Sequence, residues 1–358
     1  MRDSSQDGEV AAHASLRDVA ERAGVSFQTV SKVLNGAGRV APKTRQRILD
    51  TADELGYRPN SLARGLAMRR THTIGFIASG LASFVLDPLM HGAEREARAR
   101  GYFTIVALAE GDEDQAELLV HQLIERRVDG IVSAALTLQQ SRRYGDLLRR
   151  LTPSVCIFPV HGGGLPLIGE DPQLTGLLAT RHLVGLGHRN IATIIGAVDR
   201  TGVNGRLRGY HEALGEVGVS PDATLVDVGH WTPWGGYDAM GRLLDRAPGI
   251  TALFAHNDHM AIGAIRALHD RGLRVPDDCA VVGCDDIDVA RYVIPALTTV
   301  RISFERSGET AVRLLVDRLE KLTPPPERVI LPIELIVRSS CGFPAAARSA
   351  LPRVGAPI

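Results

Sequence analysis

Four side chains stand out for the chemistry they could do: Arg206 in NGRLRGY, Trp231 in HWTPWGG, Asn257 in FAHND and Asp285 in VGCDD. A guanidinium, a planar amide and a carboxylate can each pair with two adjacent hydroxyl groups. A flat indole covers the C–H face of a saturated ring. That equipment suits holding a neutral polyol. A second set lies near the start of the chain, where Phe27, Gln28, Ser31 and Lys32 point away from an inner stripe of Val30, Val33 and Leu34. Side chains at the N-terminal end of such a helix can read base edges in the major groove of DNA.

The elements that must position the second set are legible from Ser15 onward, in SLRDVAERAGVSFQTVSKVLNG. Ser15 with Asp18 three residues later forms a capping-box pattern. Leu16, Val19, Ala20 and Ala23 repeat at helical spacing, and Gly24 supplies a left-handed turn. Val25 plugs the angle between two helices, and Ser26 is a good N-cap for the next. That helix runs from Phe27 to about Leu34 and stops at Asn35-Gly36. Two short helices joined by a glycine-containing turn make a helix-turn-helix. A third amphipathic helix follows in PKTRQRILDTADELGY, with Ile48, Ala52 and Leu55 on one face. After Pro59, Asn60 can cap a helix of less than two turns over 61–67. That length is marginal alone in water, so it is expected to order on DNA.

Charge supports the same division. The chain balances 41 Lys and Arg against 41 Asp and Glu, yet residues 14–72 hold 11 basic against five acidic residues. A basic module on a slightly acidic body points to a polyanionic partner for the first part only.

From Thr73 on, buried strand-like runs (THTIGFIAS, YFTIVALAE, VDGIVSAAL, PSVCIFPV) alternate with helical stretches at about 88–100, 113–127 and 138–151. The alternation resumes with RNIATIIGA, a helix over 205–217, ATLVDVG, a helix over 236–246, TALFAHND, a helix over 259–273 and CAVVGCDD. Such alternation predicts parallel sheets covered by helices on both faces, here as two doubly wound lobes. Ligands bind outside the carboxyl ends of such strands, where Asn257, Asp258, Asp285 and Asp286 fall.

The spacing A-x-x-A-G-V-S-x-x-T-V-S-x-V-L-N over residues 20–35 resembles the DNA-binding domain of the lactose-repressor (LacI) family of bacterial transcription regulators. The body resembles the type I periplasmic sugar-binding fold that such regulators share, and the likeness runs from about Ser15 to Ser340. The resemblance implies an α/β protein with a three-helix helix-turn-helix head and a two-lobed, doubly wound parallel-sheet body. The implied divisions are a disordered tail over 1–13, the head over 14–58, a hinge helix over 59–72, an effector and dimerisation domain over 73–340 and a flexible tail over 341–358. Lobe one takes about 73–167 and 304–331, and lobe two about 168–301 and 332–340.

The same resemblance assigns roles. DNA contacts fall to Ser15, Ser26, Phe27, Gln28, Thr29, Ser31, Lys32 and Asn35 in the head. In the hinge they fall to Asn60, Ala63 and Leu66, with Leu66 wedged between central base pairs of the operator. The effector, a small sugar, is implied to meet Arg206, Asn257 and Asp285 through its hydroxyls and Trp231 through its ring face. Phe304 stands near a lobe crossover, and Ser79 and the apolar loop Leu81–Leu89 line the opposite wall. Two departures bear on specificity. Polar residues that galactoside-binding relatives carry after the third and fourth strands are replaced by Ala134 and Phe158-Pro159. Lys32 stands where Arg is common, and Lys cannot form the fork that Arg makes on guanine.

Other classes are disfavoured. No apolar run approaches the roughly 20 residues of a membrane span, and MRDSSQDGEVAAHASLRDVAERAG lacks a signal-peptide pattern, so a cytoplasmic protein is expected. Cys156, Cys279, Cys284 and Cys341 have no CxxC spacing and read as buried thiols. The HGGG at 161–164 has no G-x-S-x-G nucleophile to serve, and His256 and His259 lack a third metal ligand. The expectation is therefore no enzyme, no cofactor and no metal. It is a repressor of a carbohydrate-use operon, bound as a homodimer to a palindromic operator and released by sugar. The tail after Cys341 has no leucine heptads, so no coiled-coil tetramer is expected. The rivals are an exported solute-binding protein, which would leave the basic head unexplained, and a sugar-modifying enzyme using Asp258, Asp285 and Asp286.

Overall fold

The computed structural model describes residues 14–34, 38–57, 70–79, 83–109, 113–162, 164–196, 201–322, 324 and 326–342. The chain forms two compact units, 1–71 and 72–358. The expected contacts Asn35, Asn60, Ala63, Leu66 and Leu81, and residues 1–13 and 343–358, lie outside the described residues, while Cys341, expected to open the flexible tail, is buried.

The first unit holds α1 (Leu16–Arg22), α2 (Phe27–Leu34) and α3 (Pro42–Glu54). The capping box at α1 is complete. Asp18 N donates to Ser15 Oγ at 3.3 Å, and Ser15 N donates to the Asp18 carboxylate at 2.7 Å. The latter bond holds the Asp18 carboxyl below its usual range. Gly24 turns the chain at φ +62°, a left-handed conformation that favours glycine. Ser26 Oγ then accepts from Thr29 N at 3.2 Å and starts α2. Val19, Val30 and Ile48, one from each helix, are fully buried together.

The second unit is a pair of lobes. The first is built by β1 (Thr73–Ser79), α4 (Ser83–Ala99), β2 (Phe103–Leu108), α5 (Glu113–Glu125), β3 (Gly130–Ala135), α6 (Arg142–Leu151), β4 (Ser154–Cys156) and β5 (Leu167–Gly169). The chain then crosses to α7 (Pro172–Gly185), β6 (Ile191–Ile195), α8 (Thr201–Gly215), β7 (Val226–Val228), α9 (Pro233–Arg246), β8 (Ala252–Ala255), α10 (Asp258–Asp270), β9 (Ala280–Asp285) and β10 (Thr298–Arg301). It returns through α11 (Phe304–Leu319) and β11 (Arg328–Ile330) to the first sheet, and ends on the second with β12 (Glu334–Ile336). The two sheets run β11-β5-β4-β3-β1-β2 and β12-β10-β9-β8-β6-β7. Their pairings are parallel apart from the antiparallel β10–β12 edge.

The core follows from the strand sequences. β3, β4, β6, β8 and β9 are buried along their whole length, which is why they read as continuous apolar runs. All four cysteines are free and buried. Some boundaries differ from the sequence expectation. The helix expected from about 88 starts at Ser83 and carries Pro88 inside it, so this proline is not the helix-starting residue it resembles. The helix expected from 138 starts at Arg142, after a short 3-10 turn over Leu136–Leu138.

Candidate ligand cavity

Residues just past the carboxyl ends of β3, β4, β5, β8 and β9 line a cavity of about 470 Å³. This is where doubly wound sheets bind ligands. Arg206, Trp231, Asn257, Asp285 and Phe304 all line it. Ser79 is not among the lining residues; its hydroxyl is buried against Thr137 Oγ1 at 2.5 Å. At the end of β3 the wall is made by Leu136 and Gln139, whereas Ala134 stays inside the strand.

Arg206 projects from α8 and is 7% exposed. Its Nη1 donates to the His256 carbonyl at 2.7 Å and its Nη2 to Glu170 Oε1 at 3.1 Å, while its Nε has no partner. The His256 ring is fully buried. Burial first, and the guanidinium second, push its pKa well below the ordinary histidine value, so the ring is neutral.

Asp285 closes β9 at φ +112° and Asp286 follows at φ +59°, two left-handed residues in a row. Such conformations persist only where surroundings enforce them, and the side-chain contacts of Asp286 itself and of Asp258 do so. Asp286 accepts from Arg301 Nε at 2.7 Å and Arg338 Nη2 at 2.5 Å. Asp258 accepts from Thr299 Oγ1 at 2.6 Å and from Ile287 N at 2.9 Å. Burial pushes the Asp258 carboxyl up to about 7 despite those bonds. Asp285 is thereby held at the cavity, its own carboxyl raised well above the usual range by burial although Arg206 pulls the other way.

Asn257 caps α10, its Oδ1 accepting from Met260 N at 2.9 Å, and its Nδ2 donates to the Trp231 carbonyl at 3.1 Å. An amide has two N–H donors, so the cap leaves a second one for a ligand. Trp231 follows His230, both with positive φ (+65° and +51°). Its indole lies where a side chain on Gly196 would otherwise sit, and its Nε1 is buried with no partner. Phe304, the first residue of α11, packs against core clusters of both lobes.

The site also contains residues that sequence reasoning misses. Glu170 is one; the available signal is an acid beside the Asp171-Pro172 start of α7, just past a short apolar run. Ile157 is another, whereas Phe84 and Val85 belong to the apolar stretch 81–89 expected on the opposite wall and do line the cavity. Among the described residues, no group of three or more His, Cys, Asp or Glu could hold a metal ion. Among them also, no helix is long and apolar enough to cross a membrane.

In the first unit, Phe27, Gln28 and Lys32 of α2 are exposed, with Thr29 and Ser31 half-buried beside them. Ser15 and Ser26 serve as caps, and Thr29 Oγ1 lies 2.8 Å from Ser26 Oγ. The exposed face of α2 is therefore Phe27, Gln28 and Lys32, with Ser31 at its edge.

Comparison with known proteins agrees with both units. Residues 15–60 match the profile of bacterial regulatory proteins of the lacI family, and residues 180–341 that of the periplasmic binding protein-like domain. The ribose operon repressor of Escherichia coli (strain K12) is 35% identical over 331 residues, covering 91% of this chain and 99% of the relative. Among solved structures, the lac repressor dimer bound to operator and the anti-inducer ONPF aligns with a TM-score of 0.84 at 31% identity, covering 92% of this chain and 99% of that one. A complex of the transcriptional regulator CelR with cellobiose aligns with a TM-score of 0.70 at 36% identity, covering 92% and 100%. With a helix-turn-helix head, two parallel-sheet lobes and full-length relatives of this kind, the chain belongs to the lacI family of bacterial regulatory proteins.

Proposed function

We propose that this chain represses carbohydrate-use genes, holding a palindromic operator as a homodimer and releasing it when a small sugar enters the cavity. One observation carries the reading. The same chain presents an exposed helix in a basic head and a cavity whose buried Arg206 Nε and Trp231 Nε1 lack hydrogen-bond partners. Unpaired buried donors are costly, and sugar oxygens would satisfy them. In this reading Arg206, Asn257 and Asp285 hold hydroxyls, Trp231 covers the ring, and Phe304 transmits lobe orientation. Gln28, Ser31 and Lys32 read the major groove, while Asn60, Ala63 and Leu66 engage the minor groove at the operator centre.

The acids considered for hydrolysis are otherwise engaged. Asp258 and Asp286 each bond protein donors through both carboxylate oxygens, which disfavours an acid–base pair. A second copy is supported by apolar side chains left exposed on the body, among them Phe103 and Leu108 on the edge strand β2, and Tyr292 and Ile294 beyond β9. Patches of this kind mark interfaces.

The experiment is selection of an operator from random duplexes by the full chain, followed by anisotropy titration against a sugar panel. A palindromic consensus that a sugar releases is expected. Absence of any sequence preference, or release by no sugar, overturns the reading.

A further inference from the structure

Resting on the release reading above, we propose that Asp286, Arg301 and Glu334 form a relay that carries occupancy of the cavity to the segments about which the lobes turn. The chain passes between the lobes three times, at 170–171, 302–303 and 331–333. A change of lobe orientation is absorbed by the dihedrals of such connecting residues. Arg301 is the last residue of β10, immediately before 302–303, and Glu334 is the first of β12, immediately after 331–333. The two are register partners across the antiparallel β10–β12 pair, and on its other side Arg301 is the register partner of Asp285. One row across three strands therefore runs from the residue that takes a sugar hydroxyl in that reading to two of the three crossovers.

Side chains join this row. Arg301 Nε donates to Asp286 Oδ2 at 2.7 Å, and its Nη1 donates to Glu334 Oε2 at 3.0 Å. The Asp286 side chain is 3% exposed, so its end of the bridge is withdrawn from water, whereas Glu334 is 39% exposed. The backbone adds a contact, Ile302 N donating to the Asp285 carbonyl at 3.4 Å. A rigid guanidinium fork shared by two acids fixes their separation. A turn of one lobe that moves 302–303 against 331–333 stretches one of the two bonds, so the bridge has different energies in the two orientations. A sugar that holds Asp285 stiffens the Asp286 side of the bridge and thereby favours one orientation, the differential interaction that any ligand-driven shift requires. Glu334 itself is not needed to place the loop, because Arg338 Nη2 also donates to Asp286, and Thr299 and Ile287 hold Asp258.

The test is the coupling factor, the operator Kd of the full-length protein with saturating sugar divided by that without it. The probes are the selected operator duplex and whichever of ribose, xylose, glucose, galactose, mannose, cellobiose, lactose and maltose releases it. Glu334→Ala should lower the factor about threefold, the scale that one partly exposed ion pair carries. Sugar affinity without DNA, operator affinity without sugar and the melting temperature should stay close to wild type. Glu334→Gln keeps an acceptor for Arg301 Nη1 and should recover part of the factor. Arg301→Met should lower it at least as far, and Glu334→Ala added to Arg301→Met should lower it no further, because both act through one bridge. A Glu334→Ala protein that keeps the wild-type factor overturns the proposal while leaving the release reading intact. So does one whose sugar affinity without DNA falls as much as its factor. Release of the wild type by none of these sugars overturns that reading itself, and this proposal with it.

Discussion

Glu170 Oε1 lies 3.1 Å from Arg206 Nη2, joining the segment that leaves the first sheet to a helix of the second lobe. The guanidinium is fixed from two sides, by Glu170 and by the His256 carbonyl, at the wall of the cavity, with Nε buried and without a partner. The pair is largely buried, with side-chain exposures of 9% for Arg206 and 19% for Glu170. Removing one partner of such a pair leaves an uncompensated charge, a larger effect than the pair's net worth. Glu170 thus orients the side chain on which sugar recognition is proposed to depend, and it does so from the crossover between lobes.

Glu170→Ala should therefore weaken effector binding by roughly tenfold or more and lower the melting temperature of the body. Glu170→Gln keeps an acceptor for Nη2 and should recover most of the affinity. Calorimetric titration of both variants decides it. Equal affinity in Glu170→Ala and wild type would remove Glu170 from the recognition machinery.

Gly196→Ala tests the seat of Trp231. A methyl group built on Gly196 would fall among the indole atoms Cε2 and Cζ2, so the ring must move. Overpacking of this kind costs about 1–3 kcal/mol, and a displaced indole loses its cover over the ligand. The expected outcome is effector affinity lowered about tenfold or more, with operator binding in the absence of effector unchanged. A variant that binds effector like wild type shows that the ring position is not used.

How much of this is legible in the chain depends on which physical signal each part carries. The head is readable almost residue by residue because its helices are stopped and started by local chemistry, Ser15 with Asp18, Gly24, and Ser26. Asn257 and Asp285 can be found because they fall at the carboxyl ends of apolar strands, and Arg206, inside α8, through the family resemblance. α7 escapes notice because Thr175, Gly176, Leu177, Ala179, Thr180 and Leu183 are all buried, and a helix covered on several sides shows little 3.6-residue periodicity. Ser79 is misassigned to the wall because a strand-end position does not say which way a hydroxyl turns, and here Thr137 holds it. Glu170 is missed because its partner lies 36 residues away on another element, a pairing that no local pattern encodes.

The buried Asp258 sets a pH dependence that can be isolated. Its carboxyl titrates near 7 in the native state, against 3.8 for the same group free in an unfolded chain. Between those values the native state keeps a proton that the unfolded state has released. Stability from this group is therefore fully present below about pH 4 and is lost as pH rises through 7, by about 1 kcal/mol per pH unit. Asp258→Asn can replace both contacts, its Oδ1 accepting from Ile287 N and its Nδ2 donating to Thr299 Oγ1, and it has no proton to lose. The stability difference should then shift toward the variant by about that amount per unit between pH 4 and 7, and level off above. The chain's two tryptophans, Trp231 and Trp234, both belong to the second lobe, so tryptophan fluorescence in urea reports on the lobe that holds Asp258. A gap between variant and wild type that stays constant from pH 4 to 8 would mean that Asp258 is ionised in the native state throughout. Its bonds to Thr299 and Ile287 would then outweigh its burial, and the loop that presents Asp285 would be held by a carboxylate charge.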